Sequence, residues 1–211
     1  MKSKFIVALA CGLLGAVSAV LNPAHAAPPA AATAAQGDFP TRTAVGGQAL
    51  ALNGTGSRYK AIFRVYDAGL YTPSPVHSMD EFFALKGPRR LHLVARRDIP
   101  SDELARMLVK GITESNSKEE VMRQIGGIAK VGEMFSSRPL IRNGDTFGFD
   151  FVPGNGTQLF VNARPVGEPI QDAEFFTVVM RLWLGPVPVD ARLKAALLGQ
   201  QSINVTMAEM R

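Results

Sequence analysis

The segment Phe147-Gly-Phe-Asp-Phe-Val-Pro-Gly-Asn-Gly-Thr-Gln-Leu-Phe-Val-Asn162 decides the fold class. Successive side chains of an extended chain point to opposite faces, so Phe147, Phe149 and Phe151 share one face. Pro153-Gly-Asn-Gly156 then supplies the residues of a tight turn, and residues 157–162 return as a second strand. The pair is a β-hairpin, and a sheet built on it is antiparallel. The same period of two recurs upstream. Residues 89–97 place Leu91, Leu93 and Ala95 on one face. Residues 59–71 begin by alternating Ala61, Phe63 and Val65 with Lys60, Ile62 and Arg64, and read as one continuous strand. Residues 44–52 read as another, ended by the turn signal Asn53-Gly-Thr-Gly56.

Helical periodicity fills the remaining segments. Ser101-Asp-Glu103 sets a cap and two acids, favourable at the positive end of a helix, before Leu104, Leu108 and Ile112. Ser117-Lys-Glu-Glu120 has the form of a capping box ahead of Val121, Ile125, Ile128, Val131 and Phe135. Residues 172–183 and 190–198 are amphipathic, and Gly185-Pro-Val-Pro188 between them cannot continue a helix. Hairpins with a helical insert and a helical end argue for an α+β domain: an antiparallel β-sheet with a layer of helices packed on one face.

The chain has 211 residues, 46% hydrophobic and 19% charged, which is enough apolar surface for a core and excludes a disordered protein. Residues 1–26 read as a signal peptide, with Lys2 and Lys4 ahead of an apolar stretch and Ala24-His-Ala26 at the cleavage site. The competing reading is a membrane anchor. The apolar stretch of about 17 residues sits at the lower limit for spanning, so no stable span is expected after cleavage. Cleavage removes Cys11, the only cysteine, which suits a periplasm that permits disulfides without requiring them. Residues 27–38 read as an Ala/Pro-rich flexible spacer, and residues 39–211, free of repeats and second linkers, as one domain. The mature chain keeps 21 Lys and Arg against 18 Asp and Glu. These charges are scattered, whereas nucleic-acid binding calls for a basic stripe.

Several chemistries lack their residues. His77 and His92 belong to no His-x-x-x-His or Cys/His pattern, so neither a metal site nor a cofactor is expected, and His92 reads as a structural histidine. There is no Gly-x-Ser-x-Gly elbow and no cysteine nucleophile in the mature chain. Gly54-Thr-Gly56 and Gly154-Asn-Gly156 are too short to cradle a phosphate. The doublets Arg89-Arg90 and Arg96-Arg97 bracket one strand and read as solvated strand ends, or as points of docking to an acidic surface.

In order along the chain, Leu52-Asn-Gly-Thr-Gly-Ser-Arg58, Phe63-Arg-Val-Tyr-Asp-Ala-Gly-Leu-Tyr71, Arg97-Asp-Ile-Pro-Ser-Asp-Glu-Leu104 and Trp183-Leu-Gly185 resemble the chalcone isomerase-like family, and within it the secreted bacterial branch. The resemblance implies a large antiparallel β-sheet, a layer of helices and a ligand cleft between them. The family includes enzymes that close a chalcone to a flavanone, plant proteins that bind fatty acids, and members of unknown activity. Arg58 occupies the arginine position of the family's Gly-x-Gly-x-Arg motif, and Tyr66 a position where the isomerases carry threonine. An arginine and a tyrosine there resemble the fatty-acid binders, in which they hold the carboxylate. The isomerases' tyrosine and asparagine on the first long helix correspond to Leu104 and Gly111, and a late hydroxyl residue to about Leu182. Three polar groups are therefore missing.

What the resemblance implies is a periplasmic, non-catalytic binder of a small amphipathic carboxylate such as a fatty acid. Arg58 and Tyr66 would hold the acid, and Leu104, Leu108, Val178 and Leu182 would line the tail. The alternatives are an intramolecular lyase of chalcone-flavanone type with Arg58 and Tyr66 catalytic on a phenolic compound, and an envelope scaffold whose cleft is filled. A guanidinium and a phenol form a sensible anion clamp. A continuous strand, however, would separate Arg58 from Tyr66 by ~26 Å. The chain must bend between them, yet residues 59–65 contain no Gly or Pro. Arg58 also reads as a surface ion-pair residue, Tyr66 as core with its hydroxyl at the rim, and the three leucines as ordinary core.

Overall fold

A computed structural model describes residues 38–136 and 139–200. The segment read as a signal peptide and all but the last residue of the expected spacer lie outside the described residues. Nine strands alternate with six helices among them: β1 (Arg42–Val45), β2 (Gln48–Lys60), β3 (Phe63–Thr72), α1 (Met79–Ala84), β4 (Arg89–Ala95), β5 (Ile99–Pro100), α2 (Ser101–Ser115), α3 (Lys118–Arg123), α4 (Ile125–Ser136), β6 (Leu140–Ile141), β7 (Thr146–Val152), β8 (Gly156–Val161), β9 (Arg164–Ile170), α5 (Ala173–Leu184) and α6 (Ala191–Leu197). Seven strands make one antiparallel sheet in the order β1-β2-β3-β4-β7-β8-β9, while β5 and β6 pair separately.

The alternation does what its period requires. Leu91, Leu93 and Ala95 of β4 and Phe147, Phe149 and Phe151 of β7 face the same buried core, which α2, α4 and α5 complete with Leu104, Leu108, Ile112, Ile128, Val131, Phe135 and the buried face of α5. Phe151 stacks on Phe176, and Phe149 meets Trp183 with ring centroids 6.0 Å apart. The other face carries polar pairs. Arg90 grips both oxygens of Asp150 at 2.6 Å, and buried Asp67 accepts from Ser57, Arg64 and Arg96. His92 sits on that face between Phe39 and Phe160. The α+β architecture is thus the one patterning predicts.

Three local expectations fail, each for a tertiary reason. Residues 44–52 are two strands, because Gly46 and Gly47 both take positive φ (+56° and +78°) and reverse the chain. Asn53-Gly-Thr-Gly56 is the middle of β2. A Cβ at Gly54 would lie 2.1 Å from the Ala196 carbonyl oxygen, so this glycine lets α6 press against the face of β2. Asn53 fixes the same contact by donating to the carbonyls of Leu197 (2.8 Å) and Val76 (3.0 Å). Ser101 is the first buried residue of α2 and caps nothing, since the chain enters the helix directly from the β5–β6 pair. The capping box at Ser117 and Glu120 forms as predicted, and Glu120 also accepts from Arg181 at 2.5 Å. Strand β9 has no counterpart in the sequence reading. Its two prolines and its glycine suit the free edge it occupies.

Candidate functional site

The bend that the sequence seemed to lack is a hairpin turn at Ala61-Ile62. Lys60 pairs with Phe63, Tyr59 with Arg64 and Arg58 with Tyr66, and the register shift between the last two pairs leaves Val65 as a bulge. Ala61 takes φ +54°, the left-handed region that turns ordinarily fill with glycine or asparagine. Segment 59–71 is therefore not one continuous strand. The expected ~26 Å separation disappears, because Arg58 and Tyr66 are direct cross-strand partners, whose side chains stand about 5 Å apart at their bases.

Both line a cavity of about 260 Å³ between the β2–β3 hairpin, α2 and α5. Helix α2 presents Leu104, Met107, Leu108 and Gly111, a spacing that puts four residues on one helical face. Helix α5 adds Leu182 and Trp183, strand β7 adds Phe147, and Val65 and Val189 close the sides. Lys60, Lys110 and Glu114 are the other charged groups of the lining. Of the six residues expected at a site, the cavity brings together Arg58, Tyr66, Leu104, Leu108 and Leu182. It does not include Val178, which is fully buried elsewhere on α5, its carbonyl accepting from Asn116. Trp183, Phe147 and Gly111 lie in the wall without having been singled out as ligand contacts.

Tyr66 is buried, and its hydroxyl accepts a hydrogen bond from the Trp183 indole at 3.0 Å. Burial pushes the phenol up to about 12, opposed by the Trp183 bond and the Arg58 charge. At neutral pH the hydroxyl therefore keeps its proton and acts as a donor. Trp183 signalled this role in one respect: it is the single tryptophan of the chain, and a buried indole N–H needs an acceptor. Arg58 has one long ion pair, 3.5 Å to Asp190, and donates to the carbonyl of Tyr59 through the same Nη1. The other oxygen of Asp190, Oδ1, caps α6 by accepting from the backbone of Arg192 (2.9 Å) and Leu193 (3.1 Å), which anchors the carboxylate to that helix. Charge-assisted bonds ordinarily run ~2.7–2.9 Å, so Arg58 keeps bonding capacity toward the cavity. The arrangement is an apolar chamber with a cation and a neutral hydroxyl donor side by side in one wall.

The positions matched to the isomerases' polar residues also converge here. Leu104, Gly111 and Leu182 all line the cavity, and a Cβ at Gly111 would lie 2.3 Å from Leu182 Cδ1. The leucine thus fills the space that the missing side chain leaves. Among the described residues no group of three or more His, Cys, Asp and Glu could hold a metal ion, and no helix is long and apolar enough to cross a membrane.

The family model for chalcone isomerase-like proteins matches residues 31–199, and the chain belongs to that family. Among solved structures, the crystal structure of a fatty-acid binding protein from Arabidopsis thaliana is similar, with a TM-score of 0.63 and 15% sequence identity over 76% of this chain and 90% of that one. At that identity the likeness establishes a shared fold. No curated protein matches the sequence.

Proposed function

We propose that this protein is a non-catalytic binder of a small amphipathic carboxylate, with a fatty acid the leading candidate. The observation that carries this reading is the cross-strand pair Arg58–Tyr66 in the wall of a cavity lined mainly by apolar side chains. The guanidinium would meet the carboxylate with charge-assisted bonds and Tyr66 would add a third, its proton directed by the bond its oxygen accepts from Trp183. The tail would lie on Leu104, Met107, Leu108 and Leu182, each buried CH₂ contributing ~0.8 kcal/mol. A volume of about 260 Å³ is at the small end of ligand pockets, which suits a short acyl chain or a single ring better than a long chain. The similar Arabidopsis structure, a fatty-acid binding protein, supports the same class of ligand. On the reading of residues 1–26 as an export signal, binding takes place in the periplasm.

One feature speaks against turnover: the polar surround of the isomerases is replaced by the Gly111–Leu182 contact. The test is mass spectrometry of protein purified without detergent, under native and denaturing conditions, for the wild type and Arg58→Ala. A carboxylic acid that accompanies the wild type and is lost from the variant is the expected result. An empty wild type that cyclises a chalcone faster than the buffer reaction would overturn the proposal in favour of an isomerase.

A further inference from the structure

The hairpin that brings Arg58 to Tyr66 ends in a tip that neither the core nor the turn geometry explains. Ile62 is 84% exposed, Phe63 60% and Tyr59 47%, so three of the seven large exposed hydrophobic side chains among the described residues lie within five consecutive positions. A two-residue turn is most easily made by Asn-Gly, and here Ala61 enters the left-handed region with Ile62 and Phe63 following it into solvent. The charged residues of the segment 59–64 are Lys60 and Arg64, both cations. Lys60 is two-thirds exposed and meets Glu103 only at 4.0 Å. Arg64 is 47% exposed along its side chain and holds both oxygens of Asp67, which Arg96 shares while also pairing with Asp38. Arg97 follows, exposed, where the backbone N–H of Arg96 bonds to Val65. The tip also adjoins the cavity, since Lys60 is part of its lining.

We infer that this hairpin tip docks on a lipid bilayer containing anionic lipids, with Ile62, Phe63 and Tyr59 entering the headgroup boundary and Lys60, Arg64 and Arg97 facing the lipid charge. An aromatic and aliphatic edge bordered by cations is what interfacial binding requires, apolar burial being reinforced by attraction to anionic headgroups. The inference rests on the binder reading for its purpose: the bilayer is where an amphipathic acid resides, and the tip carries the cavity lining to that surface. A strained, exposed tip of this kind is also an unfavourable surface to leave bare unless something covers it.

The test uses protein expressed from the full-length gene, its N-terminus identified by mass spectrometry, with vesicles of phosphatidylcholine alone or mixed with phosphatidylglycerol. Phe63→Trp places a reporter at the tip, against a Trp183 that is already buried. Its emission should shift to the blue on the mixed vesicles and much less on the neutral ones, whatever the N-terminus contributes to attachment. Sedimentation should show Ile62→Ser/Phe63→Ser binding the mixed vesicles at least about tenfold more weakly than the wild type, and Lys60→Gln about fivefold more weakly on mixed vesicles only. Both variants should keep the wild-type melting temperature, and the serine pair, which lies outside the cavity lining, should retain bound acid. An unshifted tip tryptophan overturns the inference, as does vesicle binding that the serine pair leaves unchanged. If the serine pair instead converts a dimer to a monomer in sedimentation velocity without affecting vesicles, the tip is a self-association surface and the inference is likewise overturned. Vesicle binding by a wild type that never carries an acid, weakened in the serine pair, would keep the docking surface and remove the binder reading, so the two fail separately.

Discussion

Arg58 and Arg89 are both arginines set among apolar side chains, and they differ in what surrounds the guanidinium. Arg89 is 8% exposed and lies over three rings, its Cζ 4.6 Å from the centroid of Phe151, 5.3 Å from Phe176 and 5.5 Å from Phe82. It donates to the Phe82 carbonyl at 3.2 Å and makes no salt bridge among the described residues. Burial lowers its pKa to about 10, so it is still a cation at neutral pH, held by π faces. Arg58 has no such enclosure. Its one carboxylate partner among the described residues stands 3.5 Å away, and a cavity lies beside it. The contrast is between a buried cation that the protein's own aromatic rings enclose and a half-buried one that faces open space, which the proposed ligand would fill.

Substitution separates the two roles. Arg58→Ala should lower affinity for a carboxylate ligand by about a hundredfold or more, since two charge-assisted bonds are worth about 1.5–3 kcal/mol each. Titration calorimetry with a medium-chain fatty acid reads this, and the melting temperature should barely change. Arg89→Ala should do the reverse, removing about 2–4 kcal/mol of stability by opening a void beneath the three rings while ligand affinity holds. Arg89→Met keeps most of the volume without the charge and should stay within about 1 kcal/mol of the wild type in urea unfolding. A strongly destabilised Arg58→Ala would erase the distinction and make both arginines structural.

The opposite face of the sheet gives a pH test that the cavity should not share. Burial between two phenylalanines, with Arg90 close by, pulls His92 down to about 4, against small opposing effects from Asp150 and Asp38. The unfolded chain takes up its proton near 6.5, so between pH 6.5 and 4 the unfolded state binds more protons and stability falls as pH falls. A loss on the order of 2–3 kcal/mol is expected across that window and should be much reduced in His92→Gln. The smallest effect is at Tyr66. Its replacement by Phe should weaken ligand binding by about 1 kcal/mol and cost about 1–3 kcal/mol of stability, because the Trp183 indole N–H loses its acceptor in the core.

The residues show where sequence reasoning reached and where it stopped. Phe147, Phe149 and Phe151, Leu91 and Leu93, and the Ser117–Glu120 box act through neighbours two to four positions away, so their roles were legible. Gly54 and Gly56 misled because a glycine that opens a turn and a glycine that admits a helix are written identically. Ala61-Ile62 misled in the opposite direction, since the turn is made by residues that carry no turn signal. Val178 was expected on the tail-lining face with Leu182, and it is instead fully buried and outside the cavity lining.

The sequence by itself determined the α+β class and the antiparallel pairing, whereas Arg58 and Tyr66 were singled out by the resemblance to the chalcone isomerase-like family. Periodicity and residue chemistry are local, and each survives without knowledge of the fold. Tertiary structure alone decided that those two side chains stand opposite one another, that Trp183 orients one of them, and that Gly111 and Leu182 close the wall beside them. These are contacts between segments far apart in the chain or across a turn with no turn residues, and their geometry is set by the register of the sheet and the packing of its helices.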